Sequence, residues 1–357
     1  MTRQTVSKEY QRTKLFLALG STFIGWIYLF VLWISPLGNR LVEQAAKVEQ
    51  PYAGFLMFLL LAGLIAQLYS LPLSFYSGYM VEHKYGLSNQ SLGRWGWEQI
   101  KGSLVGLVIG IPVLLVFYFF LRYYGPNWWL PVALFVFGFS IILGRLAPVL
   151  LFPLFYKFEA LEESQLAHRI QQLCEGEGLS VSGVFRFNLS KNTKKANAAF
   201  TGLGKSKRVL LADTLLDNFS EDEIAAVVGH ELGHFKLHHI WKGMALGTVI
   251  TFVGFYLVST IHNGLVDDVT SLSGLPLLGL LLGLYSFVSG PIGNLFSRRH
   301  EFDADAYSIQ LLGQGSDLGT ALDKLAELNL GDREPHPLVE FLFHSHPSVN
   351  RRVERLG

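Results

Sequence analysis

Six long apolar runs, separated by polar stretches of very unequal length, set the pattern of this chain. The segments 14–35, 52–76, 102–123, 128–151, 241–261 and 272–296 are each long enough to cross a bilayer as a helix, which takes about 20 residues. The third and fourth are joined only by the tight turn Gly125-Pro126-Asn127. The first run follows Arg3, Lys8, Arg12 and Lys14, as in a signal peptide, but it is too long, and no small-residue cleavage site precedes Pro36. Trp26, Trp33, Trp97, Trp128, Trp129 and Trp241 fall in or near the ends of these runs, where interfacial aromatics gather.

Two polar stretches remain, 153–240 and 296–357, separated by the last apolar pair. An even number of crossings returns the chain to the same side, so the two stretches can form one domain. The chain therefore divides into a membrane region at 1–152, a first part of the polar domain at 153–240, a transmembrane hairpin at 241–296 and a second part at 297–357. Within the first part, 163–178 has the periodicity of an amphipathic helix, and 183–189, 197–202 and 207–211 read as short strands. Ser220 with Glu223 three residues on forms a capping box, and Glu221 and Asp222 suit the first turn of the helix that follows. Ile224, Val227, Val228 and Leu232 give that helix an apolar side. No internal repeat is visible.

Composition agrees with the pattern. Half of the 357 residues are hydrophobic and only 16% are charged. Mean hydropathy is +0.33. These values suit a membrane protein rather than a soluble enzyme. Net charge is +1, and no basic stretch carries interleaved aromatics, so nucleic acid is excluded as a partner while the lipid bilayer is implied. Basic residues at the N-terminus, Lys84, Arg94 and Lys101 in the second loop, the Lys- and Arg-rich 157–236 stretch and Arg298-Arg299 all fall on one side if six helices span. That side is expected to be the cytosol, with both termini and the polar domain there. The single cysteine, Cys174, permits no internal disulfide and reads as a small buried hydrophobe.

The chemistry is concentrated in His230-Glu231-Leu232-Gly233-His234. Residues four apart share a helix face, so both imidazoles can reach one metal while Glu231 stands beside them to take a proton from water. This is the HExxH pattern of zinc peptidases, and one Zn2+ per chain is expected. A third protein ligand is required. A third histidine six residues after His234 is excluded, because Ile240 stands there. Glu301, in Ser297-Arg-Arg-His-Glu-Phe-Asp-Ala-Asp305, is the leading candidate and Asp303 the weaker one; Asp305, one turn after Glu301, could orient a ligating histidine. His238 and His239 are taken as interfacial polar residues, and Arg298 and Arg299 as a charged helix start beside the membrane. From spacing alone, His346 reads as a helix cap and Arg352 as a surface arginine.

HELGH at 230–234, SRRHEFDADAY at 297–307, HPSVNRR at 346–352, NAAFTGLGKSKRVLLADTLL at 197–216 and VEHKYGLSNQS at 81–91 together resemble the zinc-dependent type I CAAX prenyl proteases, peptidase family M48. The resemblance runs from about residue 75 to the end. It implies zinc held by His230, His234 and Glu301, Glu231 as general base and general acid, Asp305 behind a ligand, and His346 and Arg352 steadying the oxyanion and the substrate. It further implies that Asn197, Ala198 and Ala199 lie on an edge strand that pairs with the substrate, and that the helices enclose a chamber in the membrane. Two departures stand out. Eukaryotic members have seven spanning helices where six are counted here, and Ser348 replaces a proline that often follows the HP pair.

The expected fold class is mainly α: a polytopic helical membrane protein with six spanning helices, seven being the alternative count, and a cytosolic α+β zincin-like catalytic domain. The expected function is an integral-membrane zinc metalloendopeptidase acting on peptide or protein substrates, prenylated or membrane-associated. Turnover of membrane proteins without prenyl specificity is the alternative, and a transporter with a structural zinc site is the less favoured one. The absence of the extra eukaryotic helix points to a bacterial inner membrane rather than the endoplasmic reticulum.

Overall fold

The computed structural model describes residues 2–161, 164–202 and 207–356. The chain opens with α1 (Arg3–Ile34), capped by the Thr2 side chain, which accepts from the Thr5 amide. It breaks at Ser35 and turns into α2 (Pro36–Ala46), a short helix with proline at its start. Gly38 makes this break possible: a Cβ there would stand 1.7 Å from the Leu32 carbonyl oxygen. Next come α3 (Pro51–Phe75), running through a wide turn at Tyr76–Met80 into α4 (Val81–Lys84), and α5 (Leu92–Tyr124). Then α6 (Trp129–Leu146) passes through a second wide turn, Ala147–Leu151, into α7 (Phe152–Phe155).

The polar domain begins with β1 (Phe158–Ala160), α8 (Gln165–Gly176), β2 (Val184–Phe187), β3 (Ala198–Thr201) and β4 (Arg208–Ala212). After α9 (Asp213–Asn218) comes α10 (Glu221–Lys236), whose first turn carries the capping box of Ser220 and Glu223. The chain re-enters the apolar region as α11 (His239–Leu265), returns as α12 (Leu275–Leu312), and closes with α13 (Ser316–Leu328), α14 (Pro337–Phe343) and α15 (Val349–Val353).

Among the described residues, six helical stretches are long and apolar enough to cross a membrane: Arg3–Ile34, Pro51–Lys84, Leu92–Asn127, Trp129–Phe155, His239–Leu265 and Leu272–Leu312. The expected count of six stands, but each stretch outruns its apolar core. Helix geometry explains this, because a helix does not end where its lipid contact ends while backbone hydrogen bonds still favour continuing it. At 38 residues α12 is about 57 Å long, nearly twice the hydrocarbon thickness, so it crosses the bilayer and carries its second half into the polar domain. Trp128, Phe55, Tyr118 and Leu121 pack at one end of the bundle, and a cavity of about 510 Å3 lies between the helices, lined by apolar groups such as Leu29, Phe117 and Leu282.

The sheet has the order β1-β2-β4-β3. Its middle pair is parallel, with Val184 opposite Val209 and Phe187 opposite Ala212. The flanking pairs are antiparallel, with Phe158 opposite Phe187 and Ala198 opposite Leu211. The three expected strands are present, two of them shorter and the third, β4, shifted by one residue; β1 was not foreseen, and the expected helix start at 163 lies outside the described residues. A core of Ile170, Cys174, Leu211, Leu215, Ile224 and Leu232 joins the sheet to α8 and α10. It leaves β3 at the sheet edge, beside α10.

Candidate active site

Two glycines let α10 reach α12. A Cβ at Gly229 would stand 2.9 Å from Ser308 Oγ, and one at Gly233 would stand 3.0 Å from Ala304 Cα. They are one helical turn apart, and each precedes or lies beside a motif histidine, so close approach of the two helices turns His230 and His234 toward Glu301. The structure brings these three together although 67 positions separate His234 from Glu301 in the numbering. His230 Nε2 and His234 Nε2 are 3.1 Å apart. Glu301 Oε1 is 3.3 Å from His234 Nε2, and Glu301 Oε2 is 3.5 Å from His230 Nε2.

These separations suit a metal. An ion with four tetrahedral bonds of about 2.0–2.1 Å has donor atoms about 3.3 Å from one another, which is the spacing found here. Glu301 is buried, and its Oε2 has no aligned hydrogen-bond donor. Asp303, the weaker candidate for third ligand, instead stands 3.9 Å from His239 Nε2 with its side chain 61% exposed.

The supporting groups are specific. His230 Nδ1 is 2.8 Å from Asp305 Oδ1. Arg352 grips the same aspartate through both oxygens, at 2.6 and 2.9 Å, and its other guanidinium nitrogen is 3.2 Å from Glu301 Oε2. Arg352 is therefore buried in the site, and the reading of it as a surface arginine, taken from spacing alone, fails because α15 folds back against α13. His346 has an exposed ring, yet its Nδ1 lies 2.8 Å from Glu301 Oε2. It caps no helix: the side chain capping α14 is that of His336. Contact with the Glu301 carboxylate holds the His346 pKa above its usual value, against desolvation.

Arg298 and His239 also depart from their expected places. Arg298 is buried and donates to the backbone oxygens of Glu340 and His344, at 3.0 and 2.7 Å, so it satisfies the end of α14 and holds the segment leading to His346. The interfacial reading of the His238-His239 pair fits only His238, which is exposed. His239 is buried, with Nδ1 3.0 Å from His234 Nδ1. Sequence reasoning missed both because their partners, His234 across the α10–α11 junction and the end of α14, are set by the tertiary fold.

Glu231 faces the space between two hollows. Burial raises its carboxyl above the ordinary carboxylate range; the His230 and His234 imidazoles pull it down, and Glu301 adds to the rise. On one side is an apolar groove of about 480 Å3 with Phe200, Phe235, Leu246, Ile250 and Phe296 in its walls, reaching from the site along the spanning helices. On the other is a smaller hollow of about 170 Å3 lined by Asn197, Ala198, Asn329, His346 and Arg352. β3 contributes to both, with Phe200 in the groove and Ala198 in the smaller hollow. Asn329 fixes its approach by donating to the Ala196 carbonyl and accepting from the Ala196 amide, at 3.2 and 2.9 Å.

Comparison with known proteins agrees with this geometry. A family described as CAAX prenyl protease N-terminal, five membrane helices, matches residues 3–157. In that range the described chain has four long apolar helices and the short α2. The solved structure of S. mikatae Ste24p is similar over 99% of this chain and 88% of its own, with a TM-score of 0.85 at 29% identity. The metalloprotease YhfN of Bacillus subtilis is 30% identical, covering 98% of this chain and 84% of that protein. CAAX prenyl protease 1 of Saccharomyces cerevisiae is 31% identical, covering 89% and 75% respectively. The description Peptidase family M48 matches residues 160–357, the stretch that holds the His-His-Glu group. This chain belongs to peptidase family M48 and is an integral-membrane metalloprotease.

Proposed function

We propose that the chain is a zinc endopeptidase that binds an extended peptide along β3 and places a bulky apolar group, of the prenyl-cysteine class, in the groove beside Glu231. The observation that carries this reading is the position of the His230, His234 and Glu301 group between the edge strand β3 and an apolar groove that continues into the spanning helices. His230, His234 and Glu301 would hold the zinc, which when bound supplies Lewis acidity at the scissile carbonyl and eases deprotonation of water.

The remaining steps belong to the chain's own groups. The backbone of Ala198 and Ala199, with Asn197 leading into the strand, fixes the peptide's register by adding it to the sheet edge. Glu231 takes the proton from the attacking water and returns it to the leaving amine, a role suited to a carboxyl raised by burial. His346 and Arg352 present donors to the negative charge that develops on the carbonyl oxygen. Asp305 holds His230 so that its Nε2 stays turned toward the metal.

The catalytic domain and both termini are assigned to the cytosol, on the strength of the Lys and Arg residues that share that face. A bacterial inner membrane is the proposed setting, supported by the count of six spans. Prenyl recognition is tested by comparing cleavage of a farnesylated C-terminal peptide with its unprenylated twin. Preference for the farnesylated peptide of at least about tenfold, or 1.4 kcal/mol, is expected from burying its chain in the groove. Equal rates would favour general turnover of membrane proteins instead.

A further inference from the structure

We propose that His239 is a positioning residue for the metal site: its Nδ1 accepts a hydrogen bond from His234 and holds that imidazole with Nε2 turned to the ion. The inference rests on the reading of His230, His234 and Glu301 as a metal site. The geometry leaves little choice of direction. The two Nδ1 atoms are 3.0 Å apart, so one donates and the other accepts. His234 Nε2 faces His230 Nε2 at 3.1 Å and Glu301 Oε1 at 3.3 Å. A ring that offers Nε2 to a metal carries its proton on Nδ1, so His234 donates and His239 accepts.

The local fold is built around this contact. His238 has φ 57 and ψ 31, a left-handed conformation uncommon for a residue other than glycine, and it breaks the helix between α10 and α11. The next ring, His239, packs edge-on against His234, with centroids 5.1 Å apart and planes at 72°. His239 is then sandwiched: its ring stacks on His300 with centroids 4.0 Å apart and planes within 8°. Its Nε2 is buried without a hydrogen-bond partner, which is a cost no space-filling apolar side chain would carry.

The two ligating histidines are thus steadied differently. His230 has an anion behind it, Asp305, whereas His234 has a neutral ring. With Glu231, Glu301 and Asp305 already clustered around the two imidazoles, a neutral acceptor would orient the second imidazole for a metal without adding a fourth negative charge.

The test compares His239→Leu with His239→Asn in the full-length chain, reading zinc affinity by chelator competition and the visible spectrum after Co2+ substitution. Asn places an acceptor oxygen near the Nδ1 position; Leu does not. His239→Leu is expected to bind zinc 10- to 100-fold more weakly with an altered cobalt spectrum, and His239→Asn to stay within about threefold of wild type. Wild-type affinity and spectrum in His239→Leu, or equal weakening in both variants, would overturn the proposal. If His239→Leu does not fold, His239→Asn decides alone: retained affinity supports the acceptor role and lost affinity overturns it. A wild-type chain that takes up no zinc or cobalt would remove the metal-site reading itself, and the two failures are therefore distinguishable.

Discussion

Glu231 and Asp305 are both carboxylates at one site, yet their surroundings assign them different work. Glu231 lines both hollows and has its pKa raised by burial, whereas Asp305 is locked between His230 and Arg352. Glu231→Gln should lower kcat by about 10²- to 10⁴-fold while zinc stays bound, as read from peptide cleavage and metal content together. Asp305→Ala should do the reverse in kind, weakening zinc binding about 10- to 100-fold by releasing His230, which chelator competition would measure. At this scale the motif was legible because two imidazoles and a carboxylate at helical spacing announce themselves. Glu301 was legible through the even number of crossings that returns it to His234. His239 and Arg298 were not: one depends on a left-handed residue that no glycine signals, the other on where the end of α14 comes to rest.

Among the elements, the meeting of α10 with α12 decides whether a site exists. Gly233→Leu would push a branched side chain into Ala304 and should abolish zinc binding and lower Tm, since the two helices cannot separate without parting His230 and His234 from Glu301. Metal titration and thermal unfolding of the same preparation would show both losses. The start of α10 gives a subtler prediction. Burial pushes the Glu223 carboxyl up, but Lys324 at 2.7 Å and the Ser220 amide at 2.8 Å outweigh it and hold its pKa below the usual value. A lowered folded pKa stabilises the fold above the unfolded value of about 4.3, and that contribution is lost as pH falls through the folded value. Glu223→Gln should therefore cost about 1 kcal/mol at neutral pH, with the gap from wild type closing below about pH 4.3. The capping box was readable from Ser220 and Glu223 alone. The lengths of the helices were not, because apolar composition marks the lipid-facing part of a helix and says nothing about the polar turns beyond it. β1 escaped because three residues leave no period, whereas α2 carries an amphipathic period over its 11 residues, with Leu41 and Ala45 buried, that went unread beside the long apolar runs.

As a whole molecule the chain is a helical bundle that grows its catalytic domain from the ends of its own spans. α12 is the clearest case: its first half lies in the apolar bundle, and its second half supplies Glu301 and Asp305. The proposed topology places the loop between α11 and α12 on the far side of the membrane. A cysteine at Asp267 should then react with an impermeant maleimide only from the non-cytosolic face, a clean assay because the native Cys174 is buried. Labelling from the cytosolic face would reverse the orientation. The central claim is narrower still: two polar segments separated by a membrane hairpin build one zinc site that cleaves peptides. Its most direct measurement is zinc content alongside peptide cleavage in the purified full-length chain, before chelation, after chelation and after zinc is restored. The account predicts one zinc per chain, loss of cleavage with the metal and recovery on its return; cleavage that persists in the metal-free chain would contradict it.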